Sequence, residues 1–185
     1  MLLYVNGDEI SGGACAINDF VVASDDIHHT ASANKAHPDN IMHSYGYYLS
    51  RLFNLAYRCE ATIKKDNREI FDSVINFADN ILPKLNSQYT VIAIGWMPDP
   101  DISDLNFLAN KLEHLNINYV FFNTKKPLLK SAELTFNNPV NLADKNECFV
   151  HWCRLNNHEL KNNRYPSANA HNAWAKHLFN KFNHI

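Results

Sequence analysis

LLYVNGDEISGG, residues 2–13, is the stretch on which the reading of this chain turns. Leu2 to Val5 is a short apolar run that stops at the breaker cluster Asn6-Gly7-Asp8, so it reads as a buried first strand ending in a loop. Thr90 to Ile94 repeats the pattern and ends at Gly95-Trp96, and Ile117 to Phe122 repeats it again. Strands apolar on both faces belong to a parallel sheet covered by helices on two sides. A further strand is expected around Ala56 to Ala61.

Helical spacing fills the intervals. Asp39 or Asn40 is placed to cap a helix carrying Ile41, Tyr45, Tyr48, Leu49, Leu52, Phe53 and Ala56 on one face. Asn67 opens a second pattern through Ile70, Val74, Phe77 and Ile81, which Pro83 ends. Asp101 or Ser103 caps a third with Leu105, Leu108, Leu112 and Leu115. A terminal helix carries Ala170, Trp174, Leu178 and Phe182. Cys148 to Cys153 (CFVHWC) reads as a strand or as the start of a helix, and Pro127 to Asn146 is ambiguous. Residues 11–40 read as one long loop, of the kind that carries function or contacts. With no repeat and no linker, residues 1–185 form one domain. The alternation of strand and helix predicts a three-layer α/β/α sandwich with a parallel sheet of about five strands. In such a sheet functional groups gather at the carboxyl ends, here Asn6 to Glu9, the stretch after Cys59, and Gly95 to Asp99.

Composition narrows the function. Hydrophobic residues make up 46% and charged residues 19%, which suits a folded core. Lys plus Arg is 17 against 19 for Asp plus Glu, a net charge of −2, so no basic excess supports general nucleic-acid binding. No apolar stretch reaches the roughly 20 residues of a membrane span. MLLYVNGDE lacks the basic start and apolar run of a signal peptide, so a cytoplasmic location is expected. Cys15, Cys59, Cys148 and Cys153 lack zinc spacing and read as free thiols. The abundance of Asn, Lys and Ile points to an AT-rich coding genome.

Four segments, taken in order, resemble one family. YVNGDEISGG (4–13) resembles the opening block of SGNH/GDSL hydrolases, whose first strand ends in Gly-Asp-Ser. HPDNIMHSYGYYLSRL (37–52) is similar to a stretch of GDSL-like proteins of marine phages. VIAIGW (91–96) resembles the third block, where a strand delivers a glycine and the oxyanion-hole residues. SANAHNAWAKHLF (167–179) resembles the terminal helix after the Asp-x-x-His block. The resemblance implies an SGNH-hydrolase, flavodoxin-like fold with a site at the carboxyl end of the first strand, and it implies esterase chemistry by a Ser-His-Asp triad with oxyanion donors.

The residues at those positions depart from that chemistry. Carried across one by one, the nucleophile falls on Glu9, the histidine on Tyr165 and the aspartate on Asn162. A carboxylate at Glu9 has no hydroxyl to acylate and repels a developing oxyanion. Tyrosine, with a pKa near 10, is a poor base at neutral pH. Glu60-Ala61-Thr62-Ile63-Lys64 holds no second-block glycine, and Met97-Pro98 stands where the third-block asparagine is sought. Asp8, Gly95, Trp96 and Met97 then line a vestigial pocket.

Other candidates have a plainer reading beside the functional one. Glu9 is either a new functional carboxylate or a loop residue tolerated once the nucleophile became unnecessary. Ser11 is the alternative nucleophile, in a Gly-rich loop where serines are common. His28, His29, His37 and His43 with Asp25, Asp26 and Asp39 lack helical metal-ligand spacing, so no metal or other cofactor is expected. Trp96 is either core or a stacking surface for a ligand, and His171 sits inside the terminal helix in a packing or capping role. The expectation is a catalytically inactive SGNH/GDSL-hydrolase-like domain that acts as a binding or structural module. Its partners would be other virion or complex proteins, or a glycan, and its location the host cytoplasm or the virion. The alternative is an esterase or carbohydrate acetyl-hydrolase with a relocated nucleophile.

Overall fold

The computed structural model describes residues 1–14, 16, 38–62, 65–128 and 133–182. Four strands form a parallel sheet: β1 (Leu2–Gly7), β2 (Ala56–Cys59), β3 (Thr90–Trp96) and β4 (Asn118–Asn123), in the order β2-β1-β3-β4. The helices are α1 (Pro38–Ile41), α2 (Tyr45–Phe53), α3 (Asn67–Asn76), α4 (Ile102–His114), α5 (Phe149–Leu155) and α6 (Ala168–Phe182). A small antiparallel hairpin, β5 (Leu160–Lys161) and β6 (Tyr165–Pro166), precedes α6.

The alternation of side chains along a strand sets the two faces of the sheet. Leu3, Val5, Val91, Ala93, Val120 and Phe122 pack with α2, α5 and α6 through Tyr45, Leu49, Phe149 and Trp174. Tyr4, Ile92, Ile94, Trp96 and Phe121 point the other way, onto Ile70 and Val74 of α3 and Leu105, Leu108 and Leu112 of α4. β1 is followed by β2 on one side and flanked by β3 on the other. The chain therefore reverses its winding at the β1/β3 boundary, where open parallel sheets form a crevice at their carboxyl ends. Gly7 and Gly95 lie in register at that boundary.

The sheet differs from expectation in having four parallel strands among the described residues rather than about five. CFVHWC becomes helix α5, because Phe149, Val150 and Cys153 fall on one buried helical face. The described residues of the stretch Pro127–Asn146 form no strand, yet Asn138 among them closes the outer edge of β4. Asn138 accepts from the Phe121 N–H (2.9 Å) and donates to the Phe121 carbonyl (2.6 Å), doing with one amide what a fifth strand would do. Asn138→Leu is expected to cost about 2 kcal/mol, since it strands two backbone groups of an otherwise apolar edge. Chemical denaturation measures that loss; an unchanged midpoint would mean that the edge is held by other contacts.

Helix boundaries also shift. Ser44, not Asp39 or Asn40, caps α2, because its hydroxyl accepts the Tyr47 N–H (3.3 Å), and Ile41 belongs to the separate short helix α1. Asp66 caps α3 in a reciprocal capping box with Glu69. Past α3 the chain runs through a π-turn (Phe77–Ile81) before the 3-10 turn that holds Pro83. Asp101 caps α4. Among the described residues, six of the seven non-glycine residues with positive φ are asparagines, so Asn closes turns in a chain with only 5 glycines.

Candidate functional site

The loop after β1 is built on Asp8. Its Oδ1 accepts the N–H groups of Ile10 (3.1 Å) and Ser11 (3.3 Å), an Asx turn that reverses the chain as soon as the strand ends. Its Oδ2 accepts the Thr124 hydroxyl (2.9 Å) and pairs with Lys125 Nζ (3.3 Å). Lys125 also holds Glu9 Oε1 at 2.8 Å, and Arg164 Nη2 approaches the same oxygen at 3.5 Å. Three segments far apart in sequence thus meet at Glu9: the loop after β1, the turn after β4, and the hairpin before α6.

Asp8 is fully buried. Burial first, and then the charge of Glu9, push its carboxyl up to about 6, with Lys125 and the Thr124 hydroxyl pulling the other way. Burial alone would lower Lys125, but Asp8 and Glu9 outweigh it and hold the ammonium above its usual range. The arrangement is an ion cluster, and the hydroxyl within it, that of Thr124, is donated to Asp8.

Ser11 lies behind this cluster, on the α2/α6 face. An added Cβ on Gly7 would come within 2.3 Å of Ser11 Oγ, and one on Gly95 within 2.2 Å. The serine side chain therefore fills the space that the two in-register glycines leave open. Ser11 Oγ is fully buried and has no hydrogen-bond partner among the described residues, so no described histidine activates it. The loop histidines invoked for a relocated site, His28, His29 and His37, and with them Asp25, Asp26 and Cys15, lie outside the described residues.

The hairpin brings the other two triad positions toward Glu9 without rebuilding a triad. Tyr165 is half-buried in β6 and packs against the core, with the Arg164 guanidinium 5.2 Å from the centre of its ring. Asn162 is exposed in the hairpin turn with φ 51°, and no hydrogen bond joins it to Glu9. The residue that reaches Glu9 is Arg164, between them. His171 is fully buried in α6. Its Nδ1 accepts the Tyr45 N–H (3.1 Å) at the start of α2, which makes it an interhelical cap, and burial drives its pKa down to about 3.

The third block splits between core and site. Trp96 is 1% exposed and meets Phe121 edge-to-face on the α3/α4 side, so it is core and does not line a pocket. The physical reason lies in the strand period: Ile92, Ile94 and Trp96 share one face, while Gly95 faces Ser11. Met97 stays at the site with its Sδ 3.7 Å from Lys125 Nζ, and its backbone N–H is taken by Asn67 Oδ1 (2.9 Å). In the second block Glu60 is engaged elsewhere, accepting Tyr4 Oη (2.8 Å) and pairing with Arg58.

Thr124, Lys125, Arg164 and Asn67 were not singled out from the sequence. Thr124 and Lys125 directly follow β4, so the carboxyl-end rule applied to that strand as well would have reached them. Arg164 stood one place before Tyr165.

Among the described residues no group of three or more His, Cys, Asp or Glu is placed to hold a metal ion. Cys59, Cys148 and Cys153 are free thiols, the last two pushed up to about 11 and about 12, chiefly by burial. Among the described residues no helix is long and apolar enough to cross a membrane. A cleft of about 420 Å³ lined by Ala78, Leu82, Pro83, Leu115 and Ile117 lies at the opposite, amino end of the strands.

No protein-family model matches the chain, and no curated protein matches it by sequence. Solved structures do. A protein of the G-D-S-L lipolytic family from Desulfitobacterium hafniense DCB-2 superposes with a TM-score of 0.50 at 10% identity, over 97% of this chain and 98% of that one. A carbohydrate esterase family 2 enzyme with its carbohydrate binding domain, from Corynascus thermopiles (Myceliophthora fergusii), gives a TM-score of 0.51 at 13% identity, over 96% of this chain and 64% of that one. At such identities the likeness speaks for the fold alone. With the parallel sheet flanked by helices, it establishes that this chain has the α/β fold of the SGNH/GDSL hydrolases.

Proposed function

We propose that the chain is a catalytically inactive SGNH/GDSL-hydrolase-like domain that serves as a binding or structural module, and that it is a component of a phage virion. One observation supports the first part: Glu9, on which the resemblance puts the nucleophile, has its carboxylate held by Lys125 and Arg164. The triad acts as a unit, so a site without serine, histidine and aspartate at these positions keeps little of its rate. The phage assignment rests on the resemblance of HPDNIMHSYGYYLSRL and on the base composition. Glycans or other virion proteins are the partners this reading implies.

A serine-reactive fluorophosphonate probe tests it. The expected result is no stoichiometric labelling of the full chain. Stoichiometric labelling that Ser11→Ala removes would establish the rival, an esterase with a relocated nucleophile. Electron microscopy of virions decorated with an antibody to the chain tests the location, and an undecorated particle would remove the virion assignment.

A further inference from the structure

β2 is an outer strand of the sheet: it pairs with β1 on one side and with no described strand on the other. The register sorts its backbone groups. Ala56 donates its N–H to the Met1 carbonyl (3.3 Å) and Glu60 donates to the Val5 carbonyl (2.9 Å), so Ala56, Arg58 and Glu60 turn their peptide groups to β1. Tyr57 and Cys59 turn theirs outward, where among the described residues no backbone group bonds them. Ala56 is exposed and the other three residues of β2 are half-exposed. The strand holds no proline or bulge that would turn a second strand away.

The side chains alternate as the peptides do. Arg58 shares the α3 face with Tyr4, and Glu60 lies two residues on, so the two charges stand on either side of Cys59. Glu60 Oε1 accepts Arg58 Nε–H (2.9 Å), and its Oε2 accepts the hydroxyls of Tyr4 (2.8 Å) and Ser73 (3.1 Å). These bonds hold both charges in place while leaving the Arg58 side chain 39% and the Glu60 side chain 26% exposed.

We propose that a second copy of this chain pairs with β2 antiparallel, about a twofold axis at Cys59, joining the two sheets into one. A free sheet edge takes a further strand through its main-chain groups, and a twofold axis beside the edge makes that strand antiparallel. Charge picks the register. Centred on Cys59, the pairing sets each Arg58 opposite the partner's Glu60, and the two copies of Cys59 exchange N–H and C=O. Centred one residue earlier it would set Arg58 against Arg58, and one residue later Glu60 against Glu60; like charges directly opposed are destabilising. The attraction comes from the backbone edge, and the ion pair inside each chain becomes half of a square of alternating charge.

Sedimentation equilibrium of the full chain tests the pairing. Wild type is expected to move from monomer toward dimer as its concentration rises to about 200 µM. Arg58→Glu puts like charges opposite one another and should weaken the association at least about tenfold, as should Glu60→Lys. An equimolar mixture of the two variants should recover dimers, because every opposed pair then carries unlike charges. Wild type that stays monomeric over this range overturns the proposal, and so does a dimer that Arg58→Glu leaves unchanged. A folded mixture that fails to recover dimers overturns the register. Glu60→Lys also disturbs Tyr4 and Ser73, so its circular dichroism is read first; if it unfolds, wild type and Arg58→Glu decide alone. None of these readouts involves turnover or probe labelling, so failure of the pairing is distinguishable from failure of the non-catalytic reading.

Discussion

Gly7→Ala is expected to destabilise the chain by about 3 kcal/mol or more, summing a positive-φ penalty and forced overpacking. Gly7 has φ 144°, and an added methyl would sit 2.6 Å from the Gly95 carbonyl oxygen as well as against Ser11. The backbone oxygen cannot move aside without breaking the β1/β3 register. Ser11 can, so Ser11→Gly in the same chain should recover part of the loss and leave the rest. Urea unfolding of the single and double variants measures both. A Gly7→Ala protein as stable as wild type would mean that the β1/β3 crevice is not packed as described.

Lys125→Met should cost about 3 kcal/mol near pH 8, because it leaves two carboxylates at the end of β1 without their inner cation. The cost should shrink on acidification. Asp8 has a folded pKa raised to about 6 from 3.8. A group raised in this way favours the folded state at low pH and loses that contribution as the pH climbs through its folded value. Removing Lys125 raises Asp8 further, so the variant and wild type should converge as Asp8 takes up its proton. Unfolding curves at several pH values around 6 give the slope. A penalty that stays constant across that range would show that Asp8 is not the titrating partner.

β1, β3 and β4 were legible because each is an apolar run ended by a breaker, and the place of the candidate site followed from the carboxyl-end rule. What the sequence hid is mostly long-range pairing. Lys125 meets Glu9 across 116 residues, and Arg164 meets it across 155, with no local pattern to announce either. Asn138 took the place of the missing edge strand through one side chain, which strand periodicity does not register. Trp96 was decidable, since Ile92, Ile94 and Trp96 alternate with Ala93 and Gly95. Helix α5 was not, because six residues of mixed apolar spacing satisfy both periods.

The proposed loss of chemistry turns on Glu9, at the end of β1, whose carboxylate Lys125 and Arg164 hold. The most direct measurement is turnover of 4-nitrophenyl acetate by the full chain beside its Glu9→Ala and Ser11→Ala variants. All three should match one another and the uncatalysed background. Saturable turnover by the wild type that either substitution abolishes would contradict a non-catalytic site.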